Sequence, residues 1–333
     1  MKKLFAILLA ILMLGAMTAC GNQATDDPQE STAAAIPAAP IRVSVLNGTT
    51  GFGMANLMDD AANGKAGQSY QFTVETDASN IVAGLVNKSV DIAALPTNAA
   101  ATVYNKTQGG VQVLALNTKG VLYLVTDGTV DVGSMADLSG KTVYVPAQNP
   151  TFIFRHIVNA WGLTDVTIDN TYAQPADLNT AVASGQVSIA VLPEPMVTVA
   201  KAKNANLEVV LDLTAEWDNV SQAGSLVQGC VVVRKEFAQA YPAAVEAFLA
   251  EYGASIQTML EDVEGTATKI QANGIFAQAA VAAKAIPKCN VCFITGEEMK
   301  TAMGEFLKIM HRVAPASVGG TIPGDDFYYI AAK

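Results

Sequence analysis

The chain repeats part of its own sequence at a spacing of 97 positions, the difference between 187 and 90. Residues 90–98 read VDIAALPTN, and residues 187–195 read VSIAVLPEP. At the same spacing, VLALN at 113–117 matches VLDLT at 210–214. Two matches in the same order and spacing indicate a duplicated structural unit. The sequence therefore predicts two related units rather than one continuous core.

A further match extends each unit toward its start. Val43 and Val45 precede a turn and Phe52, and Val143 and Val145 precede a turn and Phe152. Short β-branched runs alternate with longer amphipathic stretches, which is typical of βαβ units on a parallel sheet. We therefore predict an α/β fold of two lobes, each a mainly parallel sheet flanked by helices.

The predicted boundaries follow from the two copies and from what lies after them. Lobe 1 comprises residues 41–120 and 228–333, and lobe 2 comprises residues 121–227. An apolar strand at 229–234 returns to the first sheet, and Pro242 begins a long helix that ends near Leu260. The C-terminal helices have no counterpart in lobe 2 and are expected to pack on lobe 1.

The N-terminal residues predict export. Lys2 and Lys3 precede an apolar run through Leu14, which is the pattern of a secretory signal, here residues 1–19. The signal ends at residues 17–20 (MTAC), which resemble a bacterial lipoprotein box, so Cys20 is expected to carry fatty acyl chains such as palmitate. An ordinary cleavage site with a chance cysteine is the alternative. Residues 20–40 then form the lipidated cysteine and a flexible tether.

The charge of the chain limits its partners. Thirty acidic and 20 basic residues give a formal net charge of −10, and loss of Lys2 and Lys3 with the signal leaves −12. This acidity argues against nucleic acid as a partner and against a polybasic attachment to anionic lipid.

Three cysteines remain besides Cys20. An oxidising compartment permits a disulfide, and Cys230–Cys289 is the favoured pair because it would tie the returning strand to the C-terminal helices. A local Cys289–Cys292 pair and three reduced thiols are the alternatives. Only two histidines occur, so no metal site is expected.

From residue 41 onward the chain resembles the solute-binding proteins of ABC importers, within the family that takes up taurine, sulfonates and nitrate and that includes binders of thiamine-related pyrimidines. The segments that carry the resemblance are residues 90–93 (VDIA), 138–143 (LSGKTV), 192–195 (LPEP) and 233–237 (VRKEF). The resemblance implies a type II periplasmic-binding-protein fold and a monomer that works with a permease and its ATPase. The sequence contains no Gly-x-Ser-x-Gly motif, metal-ligand set or Walker loop, so no cofactor and no catalysis are expected.

The ligand is expected outside the carboxyl ends of the strands, where turns lead into helices. In lobe 1 these turns supply Asn47, Gly48, Thr49, Thr50, Phe52, Thr97 and Asn98. In lobe 2 they supply Gln148, Asn149, Thr151, Phe152 and Glu194. Phe52 and Phe152 are candidates for an aromatic sandwich, Glu194 for an amine partner, and Trp217 for a lid or a hinge cover. Each of these side chains has an alternative role as a cap or as part of the core.

The predicted function is capture of a small organic solute, either a heterocyclic vitamin precursor or a sulfonate-like molecule. Hinge closure about 117–121 and 226–229 would enclose the solute between the lobes. The expected location is the outer face of the cytoplasmic membrane or the periplasm, with a lipid anchor. A ligand-sensing lipoprotein that signals to a membrane receptor is one alternative. An enzyme that resembles thiamine-pyrimidine synthase is the other, although only Cys289 and Cys292 resemble its cysteine-rich motif.

Overall fold

Six strands form the first sheet in the computed structural model, which describes residues 37–331. In spatial order they are β11 (Val291–Ile294), β4 (Val111–Lys119), β10 (Val227–Arg234), β3 (Ile92–Pro96), β1 (Ile41–Leu46) and β2 (Tyr70–Glu75). Strand β1 pairs in parallel with β2 and β3. Strand β10 is antiparallel to both of its neighbours, and β11 is antiparallel to β4. Strands β1 to β4 therefore point the same way.

Five strands form the second sheet. In spatial order they are β7 (Thr167–Asp169), β6 (Thr142–Tyr144), β8 (Ile189–Pro193), β5 (Leu122–Thr126) and β9 (Glu208–Asp212). Strand β6 is parallel to β7 and β8, whereas β5 is antiparallel to β8 and β9.

The two sheets share one topology, which confirms the predicted fold class. The order β2-β1-β3-β10-β4 in the first sheet corresponds to β7-β6-β8-β5-β9 in the second. Strands β3 and β8 both carry the Leu-Pro copy of the repeat, and β4 and β9 carry its second match. Strand β5 is the first strand after the chain crosses from the first sheet to the second, and β10 is the first strand after it crosses back. Each of these two strands is antiparallel to both of its neighbours. Both sheets are consequently mixed, although most strands in each run in one direction.

Helices connect the strands and cover both sheets. They are α1 (Thr49–Phe52), α2 (Ala55–Ala62), α3 (Ala78–Val86), α4 (Thr97–Lys106), α5 (Asn149–Ala160), α6 (Pro175–Ala183), α7 (Met196–Lys203), α8 (Leu213–Val220), α9 (Lys235–Ala240), α10 (Pro242–Glu261), α11 (Val263–Ala272), α12 (Ala279–Ala285) and α13 (Gly296–Val313). Short 3-10 turns lie at Met135–Leu138, Ile286–Lys288, Pro315–Val318 and Asp325–Phe327. Pro242 occupies the first position of α10, where its missing N–H has no intrahelical acceptor to lose.

Successive side chains of β10 point alternately into hydrophobic clusters on the two faces of the first sheet. Cys230 and Val232 belong to the cluster with α3, α4 and α13, while Val231 and Val233 belong to the cluster with α2, α10 and α11. This is the period of two expected for a strand that is buried on both faces. The cluster around α13 continues into α5 and α8 of the second sheet. The opposite face of the second sheet packs on α6 and α7.

The C-terminal region agrees with the prediction except at two places. Strand β10 returns to the first sheet and α10 spans almost the predicted residues. Helix α13, however, contacts α5 as well as α4, β4 and β10, so it packs on both halves of the molecule. Residues 291–294 form the edge strand β11 where no strand was predicted.

The favoured disulfide is not formed in the structure, where Cys230, Cys289 and Cys292 are all free. The side chain of Cys230 lies in the cluster around α13, whereas Cys289 lies in the cluster on the opposite face of the sheet. The sheet itself separates the two thiols. The reduced state, which was one of the alternatives, matches this arrangement.

The predicted signal, Cys20 and most of the predicted tether lie outside the described residues. Pro37 to Pro40, the last part of the tether, has no regular secondary structure. Across residues 37–331, no helix is both long and apolar enough to cross a membrane. The lobe boundaries and hinge segments stay predictions, with which the membership of the two sheets is compatible.

Candidate functional site

A cleft of about 440 Å³ lies where the strand ends of the first sheet face those of the second. From the first sheet it is lined by Leu46, Asn47, Thr76, Asp77, Ala78, Pro96, Asn98 and Ala99. From the second sheet it is lined by Ala147, Gln148, Asn149, Pro150, Ala173, Gln174 and Pro175. These residues follow β1, β2 and β3 on one side and β6 and β7 on the other. The cleft thus occupies the position where parallel α/β sheets bind ligands.

Four helices begin at the wall of the cleft. The N-cap residues of α3, α4, α5 and α6 are Asp77, Pro96, Gln148 and Gln174, and all four line it. Only Asp77 caps its helix with its own side chain. The other three helices direct first-turn N–H groups and the positive end of the helix dipole toward the cleft.

The charge of the lining is low. None of the lining residues given above is Lys or Arg, and Asp77 is the one carboxylate among them. Ser79 donates its backbone N–H to that carboxylate at 2.8 Å, and hydrogen bonds from Ser79 hold the pKa of Asp77 below its ordinary value. Asp77 is therefore ionised at neutral pH and engaged in capping α3.

Four of the predicted ligand residues line the cleft. Asn47 follows β1, Asn98 lies in the first turn of α4, and Gln148 and Asn149 begin α5. Asn149 Nδ2 donates to Asn98 Oδ1 at 2.6 Å, so the two sides of the cleft touch at this point. All four side chains are amides, which can both donate and accept hydrogen bonds.

The remainder of the first predicted turn supports the cleft without lining it. Gly48 has a φ of 83° and donates its N–H to the carbonyl of Ile275 at 3.1 Å. The carbonyl of Thr50 accepts from Asn117 Nδ2 at 3.0 Å. Thr49 and Thr50 begin the short helix α1, and neither is among the lining residues.

The predicted aromatic sandwich is wrong. Phe52 is fully buried in the cluster between the first sheet and α10, where it contacts Phe276 edge-on. Phe152 is half-buried, packs against the other large cluster and is not among the lining residues. Both rings therefore contribute to the hydrophobic clusters and form no pair across the cleft.

Two further predicted threonines hold backbone groups in place and do not line the cleft. Thr97 Oγ1 donates to the carbonyl of Val227 at 2.8 Å, which ties α4 to β10. Thr151 Oγ1 donates to the carbonyl of Pro146 at 2.7 Å and accepts from Asn170 Nδ2. Both side chains are buried.

Glu194 precedes Pro195, the N-cap residue of α7, and its side chain pairs with the first turn of that helix, as in the capping role considered for it. Its carboxylate accepts from the backbone N–H of Thr198 at 3.1 Å and from Thr198 Oγ1 at 3.0 Å. Burial raises the pKa of Glu194, and the two hydrogen bonds from Thr198 oppose that rise. The side chain does not line the cleft, so no contact with an amine follows from its position.

Trp217 lies in the core and not over the cleft. Its side chain is fully buried, its Nε1–H donates to Ser225 Oγ at 2.9 Å, and its ring packs on His156 and Phe306. Because Phe306 belongs to α13, Trp217 joins the second sheet to the helix that packs on both halves.

Two turns that line the cleft were missed. Residues 76–78 follow β2, and residues 173–175 follow β7. In parallel α/β sheets, ligands bind outside the carboxyl ends of the strands. This holds for the second strand of each unit as well as for the first and third strands, from which the site was predicted. Two sequence signals mark these turns: Asp77, which caps α3, and Pro175, at the first position of α6.

Comparisons with known proteins identify the family of the chain. Residues 39–286 match the family described as the substrate-binding domain of the ABC-type glycine betaine transport system. No curated protein sequence matches the chain. A solved structure of an ABC transporter protein from Parabacteroides distasonis is 26% identical, with a TM-score of 0.76 over 87% of this chain and 98% of that one.

Two sulfonate-binding proteins share the fold. The periplasmic aliphatic sulphonate-binding protein of Escherichia coli has 13% identity and a TM-score of 0.70, over 88% of this chain and 93% of that chain. The alkanesulfonate-binding protein of Xanthomonas axonopodis, solved with bound MOPS, has 14% identity and a TM-score of 0.62, over 87% and 96%. The family match covers most of the chain, and it confirms the predicted class of solute-binding protein. The chain belongs to the substrate-binding domain family of ABC-type glycine betaine transport systems.

Proposed function

We propose that the protein captures a small monoanionic solute, a carboxylate or sulfonate without a cationic group, in the cleft and delivers it to an ABC permease and its ATPase. One observation carries the proposal: three helices with no side-chain cap begin at the wall of the cleft. Helix N-termini bind anions through unpaired N–H groups and the helix dipole. An oxyanion can accept from first-turn N–H groups that have no partner within their helix.

The lining favours one negative charge over two. A doubly charged anion normally requires a bidentate arginine, and the lining residues include neither Arg nor Lys. Proline also restricts the donors, since Pro150 and Pro175 carry no N–H in the first turns of α5 and α6. The remaining N–H groups and the amides of Asn47, Gln148 and Gln174 suit a single oxyanion with polar substituents.

Two other ligand classes fit the lining less well. A quaternary ammonium group is commonly held in a cage of aromatic rings, and a flat heterocycle is commonly stacked between them. The cleft lining contains no Phe, Tyr or Trp. For these reasons we favour the sulfonate-like class over the heterocyclic class and over a betaine held by cation–π contacts. Two proteins that share the fold bind sulfonates, one of them MOPS, which supports the same choice.

We further propose two lobes, 41–120 with 228–333 and 121–227, that close about the two crossing segments. These segments lie side by side, because Lys119 pairs with Val227 and Gln228 Oε1 accepts from the Val121 N–H at 2.8 Å. Asn290, just before β11, donates through Nδ2 to the carbonyl of Gly120 at 2.6 Å and so ties the first segment to the edge of the first sheet. Small backbone rotations at such a narrow junction move the cleft walls by large distances.

The lipid anchor belongs to the same proposal. The signal at 1–19 and the acylation of Cys20 would hold the protein at the outer face of the cytoplasmic membrane or in the periplasm, next to its permease. The protein acts there as a monomeric carrier and not as an enzyme.

A thermal-shift screen of the purified protein tests the proposal. Small carboxylates and sulfonates are compared with betaines and with aminopyrimidines. A ligand present at about 100 times its dissociation constant stabilises the folded state by roughly 2.7 kcal/mol. Stabilisation by oxyanions supports the proposal, and stabilisation confined to betaines or pyrimidines overturns it.

A further inference from the structure

One wall of the cleft carries a negative charge. Asp77, between β2 and α3, lines the cleft and is exposed. Hydrogen bonds from Ser79 hold the pKa of Asp77 below its ordinary value, so the carboxylate is ionised at neutral pH. Among residues 37–331, no lysine or arginine forms a salt bridge with it. No ion pair therefore neutralises this charge.

The same turn holds a second carboxylate. Glu75, the last residue of β2, accepts from Asn80 Nδ2 at 3.0 Å. Residues 75–80 read ETDASN, so this turn contains two acidic side chains and no basic one. The two charges have the same sign, and both make the potential at this wall of the cleft negative.

The two repeated units differ at this position. Asp77 and Gln174 both follow the second strand of their unit and precede the next helix. Gln174 is uncharged, and no carboxylate lines the cleft from the side of the second sheet. A solute with one oxyanion should therefore place it toward the N-termini of α5 and α6 and turn its other end toward α3.

We propose that Asp77 is a specificity-determining residue that excludes solutes with a second negative group. This inference rests on the proposed function of the cleft. The lack of a lining arginine leaves a second negative charge without a partner, and Asp77 adds a repulsion that weakens a dianion more than a monoanion. A compact cavity of 440 Å³ is only about 9 Å across, which is within the Debye length of about 10 Å at 0.1 M salt. Unfavourable contacts with the wrong ligand are a general source of specificity.

Matched monoanions and dianions test the inference. Isethionate is paired with sulfoacetate, and 3-hydroxypropionate is paired with malonate. In each pair a hydroxymethyl group replaces one carboxylate, so the members differ mainly in charge. Titration calorimetry of the purified protein gives the ratio of the two dissociation constants, and we expect the wild type to bind the monoanion more tightly.

Two variants assign this preference to Asp77. Asp77→Asn removes the charge and keeps an oxygen that can cap α3, and Asp77→Ser does the same with a shorter side chain. Both should narrow the preference for the monoanion by roughly threefold to tenfold at low salt. The narrowing should shrink at about 0.5 M salt, because salt screens exposed charges. Thermal unfolding of both variants checks that the fold is retained.

Asp127→Asn is the matched control. Asp127 accepts from the backbone N–H of Thr129 at 2.9 Å, as Asp77 does from Ser79. It follows β5 at the end where β5 pairs with the first residue of β8, so it lies at the end of the second sheet opposite to the cleft. This variant makes the same change in net charge and should keep the wild-type preference.

Four outcomes count against the inference. An unchanged preference in both Asp77 variants would overturn it and leave the proposed function intact, as would an equal loss of both pair members, which indicates a structural role. An equal narrowing in Asp127→Asn would overturn it in favour of a general effect of net charge. Binding of no pair member by the wild type would overturn this inference together with the proposed monoanion class.

Discussion

Asp91 illustrates how one residue serves the fold and not the ligand. It belongs to the VDIA segment that carries the family resemblance, yet it lies at the start of β3, away from the cleft. Its carboxylate is buried and accepts two hydrogen bonds from the Arg42 guanidinium, at 2.8 and 2.7 Å, and one from Arg234 at 2.6 Å. The three bonds join β1, β3 and β10, which are adjacent strands.

Asp91→Asn should destabilise the protein by about 2 to 3 kcal/mol, because it removes the charge that two arginines share. Burial alone would raise the pKa of Asp91, but the hydrogen bonds from Arg42 and Arg234 outweigh burial and lower it. The Asp91 carboxylate therefore contributes to the free energy of unfolding at pH values above its unfolded pKa of about 4. This contribution is lost as the pH falls through the pKa of Asp91 in the folded protein. Urea unfolding at pH 7 and at pH 3 checks both statements.

Lys88→Ala is the control for Asp91→Asn. It breaks the Lys88–Glu236 pair, whose side chains are 61% and 64% exposed, and should cost less than about 1 kcal/mol. Equal destabilisation by the two variants would contradict the role assigned to Asp91.

The helix caps and tight turns belong to the scale of the element. Glu194 accepts both of its hydrogen bonds from Thr198, within the same helical turn. We predict that Glu194→Ala lowers stability by about 1 to 2 kcal/mol and leaves solute affinity unchanged. Glu194→Gln keeps one acceptor oxygen and should lower the stability by less than Glu194→Ala does. Thermal unfolding and calorimetry separate the two effects, and a large loss of affinity would place Glu194 back in the site.

Gly229 lies where β10 crosses the end of β4. A Cβ atom at this position would meet the Oγ1 and Cβ atoms of Thr118 at 2.9 and 3.0 Å. Gly229→Ala should therefore destabilise the protein by about 1 to 3 kcal/mol through overpacking at the junction of the two sheets. Gly133→Ala, where the nearest atom is 3.9 Å away, should stay within about 0.5 kcal/mol of the wild type. Chemical unfolding compares the two, and equal stabilities would contradict the close packing described.

The strands of each repeated unit and their succession along the chain were predictable from the sequence, whereas their spatial order in the two sheets was not predicted. Residues 90–98 and 187–195 repeat because β3 and β8 occupy the same place in two sheets. The position of β5 between β8 and β9, antiparallel to both, could not be predicted in the same way. Sequence patterns do not specify which strand pairs with a neighbour that is distant along the chain. The edge strand β11 is only four residues long and has no alternation to detect.

The cleft was predictable in position but only partly in detail. Asn47, Asn98, Gln148 and Asn149 follow from the rule for strand ends. Phe52 and Phe152 do not line it, because the orientation of a side chain in the first helical turn depends on how the helix packs. The free thiols depend on the same kind of information, namely which face of the sheet each cysteine takes.

At the scale of the whole molecule, the proposed anchor has a direct test. Cys20→Ala removes the residue that would be acylated, so the variant should leave the detergent phase or accumulate as precursor, while the wild type stays in the detergent phase. Detergent-phase partitioning of cell extracts measures this. Identical partitioning of both proteins would contradict lipidation at Cys20.

The two halves of the molecule meet at the cleft, at the crossing segments and along α13. A solute held between α3 and α4 on one side and α5 and α6 on the other stabilises whichever arrangement brings these helices together. Filling the cleft should therefore block binding without disturbing either sheet. Ala173 suits this purpose because it lines the cleft and its side chain is exposed.

Titration calorimetry of the most stabilising oxyanion against Ala173→Trp tests the central claim most directly. The control is Ala205→Trp, an exposed position between α7 and β9 that lies outside the cleft lining. We predict that Ala173→Trp lowers affinity at least about 100-fold, or roughly 2.7 kcal/mol, and that Ala205→Trp binds like the wild type. Unchanged affinity in Ala173→Trp would show that the solute binds elsewhere.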